Sequence, residues 1–209
     1  TRVTGGSPYA IRQEEHVRRS GPQLSGKRIV IDPGTAGMHA LSTGAVAELE
    51  SRVLWDLAAR LEGRMAAAGM ETFLSHDGRG HASDDERARV ANLVDADMMI
   101  SLRCGHHETP AANGVASFYF GNNDSYSTIG RNLAGFIQRE IVARTELGNC
   151  RNHGRTWEIL RLTAMPTIEV VAGYLTNPHD VAVMTSPSRA ALASQSSRMR
   201  GKPKASSLD

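Results

Sequence analysis

The stretch IDPGTAGMHA at 31–40 is the end of a buried strand turning sharply into a loop, where an α/β enzyme usually sets its first catalytic or metal-binding group. The residue just past that turn is Thr35, a poor ligand. Ligand-capable side chains do occur around it: His39 four residues on, Glu50, and Cys104, His106 and His107 directly after Arg103. A metal site built from Glu50, His106 and His39 can be drawn, but these residues lack the spacing of a recognised ligand pair. The residues alone favour a polar loop with surface histidines and no metal. Cys104 and Cys150 read as half-buried small apolar residues, with a disulfide as the minority reading.

The elements that must position these groups follow from hydrophobic period. KRIVID at 27–32 reads as a central strand ended by Pro-Gly. Leu49, Val53, Leu54, Leu57, Leu61 and Met65 recur at helical spacing between Val46 and Ala68, and Gly69 supplies the stop. METFLS (70–75), DMMISL (97–102), GVASFYF (114–120) and PTIEVVAGYL (166–175) read as strands. Helices are expected at 83–95, opened by a Ser83/Glu86 capping box, and at 125–144, with a shorter ordered piece in HGRTWEILR at 153–161. Alternating strands and helices imply an α/β fold: a three-layer domain with a mainly parallel sheet and helices on both faces. Its expected span is 26–185, after a linker at 1–25 and before a disordered or non-native tail at 186–209.

Composition narrows the function classes. With 209 residues, 40% of them hydrophobic, the chain can build one ordinary domain, and two would be crowded. A formal net charge of +2 leaves no large basic field for nucleic acid. No apolar run approaches a transmembrane helix. Asp32 is expected to organise the turn after the first strand, Gly34 to take a positive φ, Asn177-Pro178 to mark a turn, and Trp55 and Trp157 to pack the core.

The order IVIDPG, a Glu opening a long helix, DERARVAN, DADMMISL, NGVASFYFG and TWEILRLTAMPTIEVVAGYLTNP resembles the zinc-dependent N-acetylmuramoyl-L-alanine amidases of cell-wall hydrolysis, from about Lys27 to Asp180. The resemblance implies a zinc held by His, Glu and His, with a second Glu as general base, cleaving the amide between muramic acid and L-alanine. In such an open centre the metal lowers the bound water's pKa to about 7 and the carboxylate takes its proton.

Carried over residue by residue, the resemblance implies a degenerate site. Thr35 stands where DPGHGG has its ligand histidine, Glu50 matches the Glu ligand with Glu48 as a register alternative, Arg103 stands at the second histidine, and Val171 at the general base. Glu169, two residues earlier, is expected on the same side of its strand. The expected vestigial site is thus Glu50, Arg103 and Glu169, with Arg103 paired to Glu50, and Asp32 and Arg161 are groove candidates. Zinc on Glu50, His39 and His106 is the alternative.

Within the family, SLRC, ANGVASFYFG and LRLTAMP most resemble actinobacterial CwlM-type degenerate homologues. That resemblance implies a cytoplasmic regulator of peptidoglycan precursor synthesis, phosphorylated by a Ser/Thr kinase and engaging MurA. An active zinc amidase and a muropeptide-binding sensor are the other expectations.

Overall fold

The computed structural model describes residues 24–186 apart from positions 38, 80 and 123, so the expected linker and tail fall almost wholly outside the described residues. Six strands are seen: β1 (Arg28–Asp32), β2 (Glu71–Leu74), β3 (Met98–Gly105), β4 (Val115–Phe120), β5 (Asn149–Arg155) and β6 (Thr167–Tyr174). Between and after them run α1 (Ala45–Ala67), α2 (Asp84–Leu93), α3 (Thr128–Arg144), α4 (Glu158–Leu162) and α5 (Pro178–Thr185). The strand order is β2-β1-β3-β6-β4-β5. Every neighbouring pair is parallel except β4 and β6.

Alternation along β1 explains the three layers. Ile29 and Ile31 face a core shared with Val53, Leu54 and Ala58 of α1, Ala134 of α3 and Met184 of α5. Val30, between them, points the other way into a second core with Ala88 and Ala91 of α2 and Ile159 and Leu160 of α4. A strand buried on both faces has no polar side, which is why KRIVID carries a continuous apolar run. The expected α/β class and the covering of both sheet faces therefore hold.

Boundaries moved where local chemistry decided them. The Ser83/Glu86 capping box forms as expected and α2 starts at Asp84. Ser127 accepts from the Gly130 N–H and so starts α3 three residues later than its period suggested. HGRTWEILR is two elements rather than one: the end of β5 and the short helix α4. Asn177-Pro178 proves to be a helix start, with Asn177 accepting from the His179 and Asp180 N–H groups and proline in the first turn.

The last residue of β1 organises the carboxyl ends of the strands. Asp32 is fully buried and lies beside Ser101 of β3, which lies beside Glu169 of β6. Its carboxylate accepts from Ser75 Oγ at 2.6 Å, from Ser101 Oγ at 2.6 Å and from the Gly34 N–H at 3.2 Å. Arg87 of α2 completes the shell through a charged hydrogen bond from Nη1 to the second Asp32 oxygen. Both side chains are out of water. A buried charge left without its partner costs about 3–5 kcal/mol.

Replacing Arg87 with Met is accordingly expected to lower unfolding free energy by about 3–5 kcal/mol. Urea denaturation checks this, and a loss below about 1 kcal/mol would mean that Asp32 is satisfied by its neutral donors alone.

Candidate functional site

The strand ends, the loop before α1 and the start of α4 enclose a cleft of about 410 Å³. Thr35, Glu50, Arg103, Glu169 and Val171 all line it, as do His39 and His106. Of the groove candidates, Asp32 does not reach the cleft, because its buried carboxylate is taken up by Ser75, Ser101 and Arg87. Trp157, Glu158, Asp84 and Cys104 complete the lining. Arg161 lies on α4 outside the lining, exposed and 3.9 Å from Glu158.

Gly34 lets β1 turn into this cleft. Its φ is +62°, and a Cβ there would stand 2.4 Å from the Leu102 carbonyl oxygen. Beyond the turn, the Thr35 hydroxyl donates to the Ala82 carbonyl at 3.0 Å. Glu50 projects from α1 and is 4% exposed, whereas Glu48 is on the outer face. Glu50 Oε2 accepts from the Gly37 N–H at 3.1 Å and from the Ser42 hydroxyl, so this carboxylate ties Gly37 and Ser42 to α1.

Arg103 does not pair with Glu50, contrary to the expectation. Its Nε donates to Glu169 at 3.4 Å and its Nη2 to Asp84 at 3.4 Å. The reason is the parity of the strand. Arg103 is in register with Val171, one pair beyond Ser101 and Glu169, so all of these project toward the layer of α2. Glu50 instead comes from α1, which packs on the opposite face. Asp84 also accepts from Arg87, linking the Arg103 cluster to the buried Asp32 pair.

Burial pushes the Glu169 carboxyl up, and the Arg103 guanidinium beside it only partly offsets this. Burial also pushes the Cys104 thiol up to about 12, so it stays protonated at neutral pH. Both cysteines are free thiols. The His106 imidazole is held below its usual range, chiefly by burial, and so is neutral at pH 7.

The residues present do not fit zinc at the position the resemblance implies. A threonine hydroxyl already used by Ala82 and a guanidinium fixed between two carboxylates replace the two imidazole donors, and Arg103 would repel a dication. The displaced set is brought together but does not converge. The His39 and His106 rings are stacked, 5.0 Å apart and within 9° of parallel, so their in-plane lone pairs run side by side. His39 Nδ1 already accepts from the Leu41 N–H. Among the described residues no group of three or more His, Cys, Asp or Glu side chains is arranged to hold a metal.

Two site features were not legible in advance. Trp157, expected in the core, is 39% exposed at the cleft, with its ring 4.5 Å from Phe118. Trp55 is half-buried and meets His76 edge-on, away from the cleft. Asp84 and Arg87 were passed over, although a lone Arg on the Ala88/Ala91 face of DDERARVAN was a signal.

The raised Glu169 carboxyl sets a pH dependence. Its folded form holds a proton that the unfolded chain has released, so this contribution is fully present below the ordinary value of 4.5 and is lost as pH rises through the raised value. Wild type is therefore expected to lose stability relative to Glu169→Gln as pH increases above 4.5. Urea titrations across that window check this, and a pH-independent difference would contradict it.

Comparison with known proteins agrees with this architecture. The N-acetylmuramoyl-L-alanine amidase family profile matches residues 29–198, past the expected boundary at 185. The chain is 62% identical over 192 residues to the Mycobacterium tuberculosis N-acetylmuramoyl-L-alanine amidase CwlM, covering 89% of this chain and 47% of that protein. It is 27% identical to the Staphylococcus epidermidis probable cell wall amidase LytH, over 77% of this chain and 52% of the relative. It thus spans about half the length of these curated relatives. Among solved structures, the Nostoc punctiforme amidase AmiC2 aligns with a TM-score of 0.67 at 26% identity, over 78% of this chain and 88% of that one. The Mycobacterium smegmatis amidase Ami1 shares the fold with a TM-score of 0.65 at 22% identity, over 79% and 90%. With a family match over most of its length and a core built on the same plan, the chain belongs to the N-acetylmuramoyl-L-alanine amidase family.

Proposed function

We propose that this chain is a catalytically inactive amidase homologue that regulates peptidoglycan synthesis through protein contacts, with the precursor enzyme MurA as its partner. The observation that carries the reading is Arg103. Hydrolysis by an open zinc centre needs a metal-bound water and a base, whereas here a permanent cation is held by Glu169 and Asp84 at a ligand position. Thr35 and Val171, at the other ligand and the base, supply neither a metal bond nor a proton acceptor. The relative CwlM is named as an amidase, so the similarity supports the family, and the regulatory reading rests on the cleft residues.

A role in precursor synthesis carries a cytoplasmic location and leaves room for control by a Ser/Thr kinase. Among the described residues no helix is long and apolar enough to cross a membrane. The gathering of His39, Glu50 and His106 favours a second reading, a zinc amidase with displaced ligands, which requires one of the stacked rings to rotate. A muropeptide sensor would use the same open cleft without turnover.

After equilibration with zinc, the folded protein is expected to retain no stoichiometric metal by native mass spectrometry and to leave muropeptides uncleaved. One zinc per chain with hydrolysis would sink the proposal. Titration calorimetry with purified MurA is expected to show saturable binding, and its absence would remove that partner.

A further inference from the structure

The outer face of α3 carries apolar side chains that the described fold does not cover. Gly130, Ala134 and Gln138 are buried and mark the inner side of this helix, against the sheet. On the outer side Ile129 is 60% exposed and Phe136, two turns further on, is 58% exposed, with Asn132 open between them. Tyr126, just before the helix, is half exposed as well. Two apolar side chains seven residues apart form a stripe of the kind a second helix packs against.

The arginines beside this stripe are not paired as others are. Arg60, Arg89 and Arg144 are each held by a carboxylate one turn away on their own helices. Arg131 and Arg139 have no carboxylate partner among the described residues. Arg139 stacks over the Phe136 ring at 4.7 Å, and Arg131 over the Tyr126 ring at 5.2 Å. A guanidinium stacked on a ring keeps its N–H edge free, and that planar fork matches a carboxylate. The rings thus hold two uncompensated cations next to exposed apolar surface.

Charge decides what can cover this face. The segments outside the described residues are themselves basic, with five basic residues against Asp209 alone in 187–209 and four arginines against Glu14 and Glu15 in 1–23, so neither complements it. A second copy meeting the first about a two-fold axis would set the same guanidiniums against each other. Arginine and aromatic side chains without a lysine are the composition of a protein interface rather than of a lipid-binding patch.

We infer that the outer face of α3 docks an acidic amphipathic helix of another protein, whose apolar side chains pack on Ile129 and Phe136 and whose carboxylates pair with Arg139 and Arg131. None of these residues lines the cleft, so the inference stands apart from what the cleft does.

The test is fluorescence anisotropy with labelled, hydrocarbon-stapled helical peptides of about 20 residues, titrated with the full chain. One peptide carries leucines a heptad apart with glutamates beside them, and the other carries lysines in place of the glutamates. The glutamate peptide is expected to bind saturably and at least about tenfold tighter than the lysine peptide. Phe136→Ser, at an exposed position, is expected to weaken it about tenfold. Combining Arg131→Glu with Arg139→Glu is expected to reverse the preference, so that the lysine peptide becomes the tighter binder, a gain that loss of folding cannot imitate.

Equal affinity for the two peptides, no saturable binding of either, or an unchanged preference in the double variant overturns the inference. Binding of wild type to phosphatidylglycerol vesicles but to neither peptide overturns it too, and gives the face to a lipid surface. A dimer in sedimentation velocity that Phe136→Ser disperses gives the face to a second copy instead. None of the probes is MurA or a muropeptide, so every one of these outcomes leaves the proposed function standing.

Discussion

The contact between Asp32 and Arg87 is the constraint on which the remaining structure depends. It joins the end of the central strand β1 to helix α2 across a layer boundary, with neither side chain in water. Because a buried ion tolerates few arrangements, the groups around it are fixed in turn: the serines on either side, the turn at Gly34, and Asp84 on the same helix. Arg103 reaches into this assembly through Asp84. The charges at the strand ends therefore form one connected network rather than separate pairs.

That connection bears on how a cleft lined by carboxylates is held without a metal. Removing a dication from a site lined by carboxylates leaves repulsion that would tend to open the fold or raise carboxyl pKa values. Arg103 meets Glu169 and Asp84, while Glu50 is served by a backbone N–H and a hydroxyl of its own loop. The carboxylates are thus met by two separate sets of local partners.

Most of the fold was legible in the sequence because both sheet faces are buried. Continuous apolar runs marked β1, β3 and β6, and period with caps marked α1 and α2. Strand β5 was missed because NCRNHGR, on the sheet edge, has almost nothing to bury. The site positions were legible one by one, as shown by Thr35, Glu50, Arg103 and Val171 lining the same cleft. Their pairing was not. Sequence spacing says which residues share a strand face, but not which helix covers that face, and this decided Arg103 against Glu50. Trp157 was misjudged for a similar reason, since its large apolar ring argues for burial while its place before α4 puts it at the opening.

The position of β6 has a consequence for how the chain is made. This strand lies between β3 and β4, pairing parallel with one and antiparallel with the other, yet it comes sixth along the chain. During synthesis β1, β2 and β3 emerge as one half-sheet and β4 and β5 as another, each with a bare edge where β6 belongs. The halves cannot zip together until Tyr174 has left the ribosome, so the growing chain carries two unpaired strand edges from the end of β4 at Phe120 until β6 arrives. The sheet is thus closed at its middle, by the last strand to arrive.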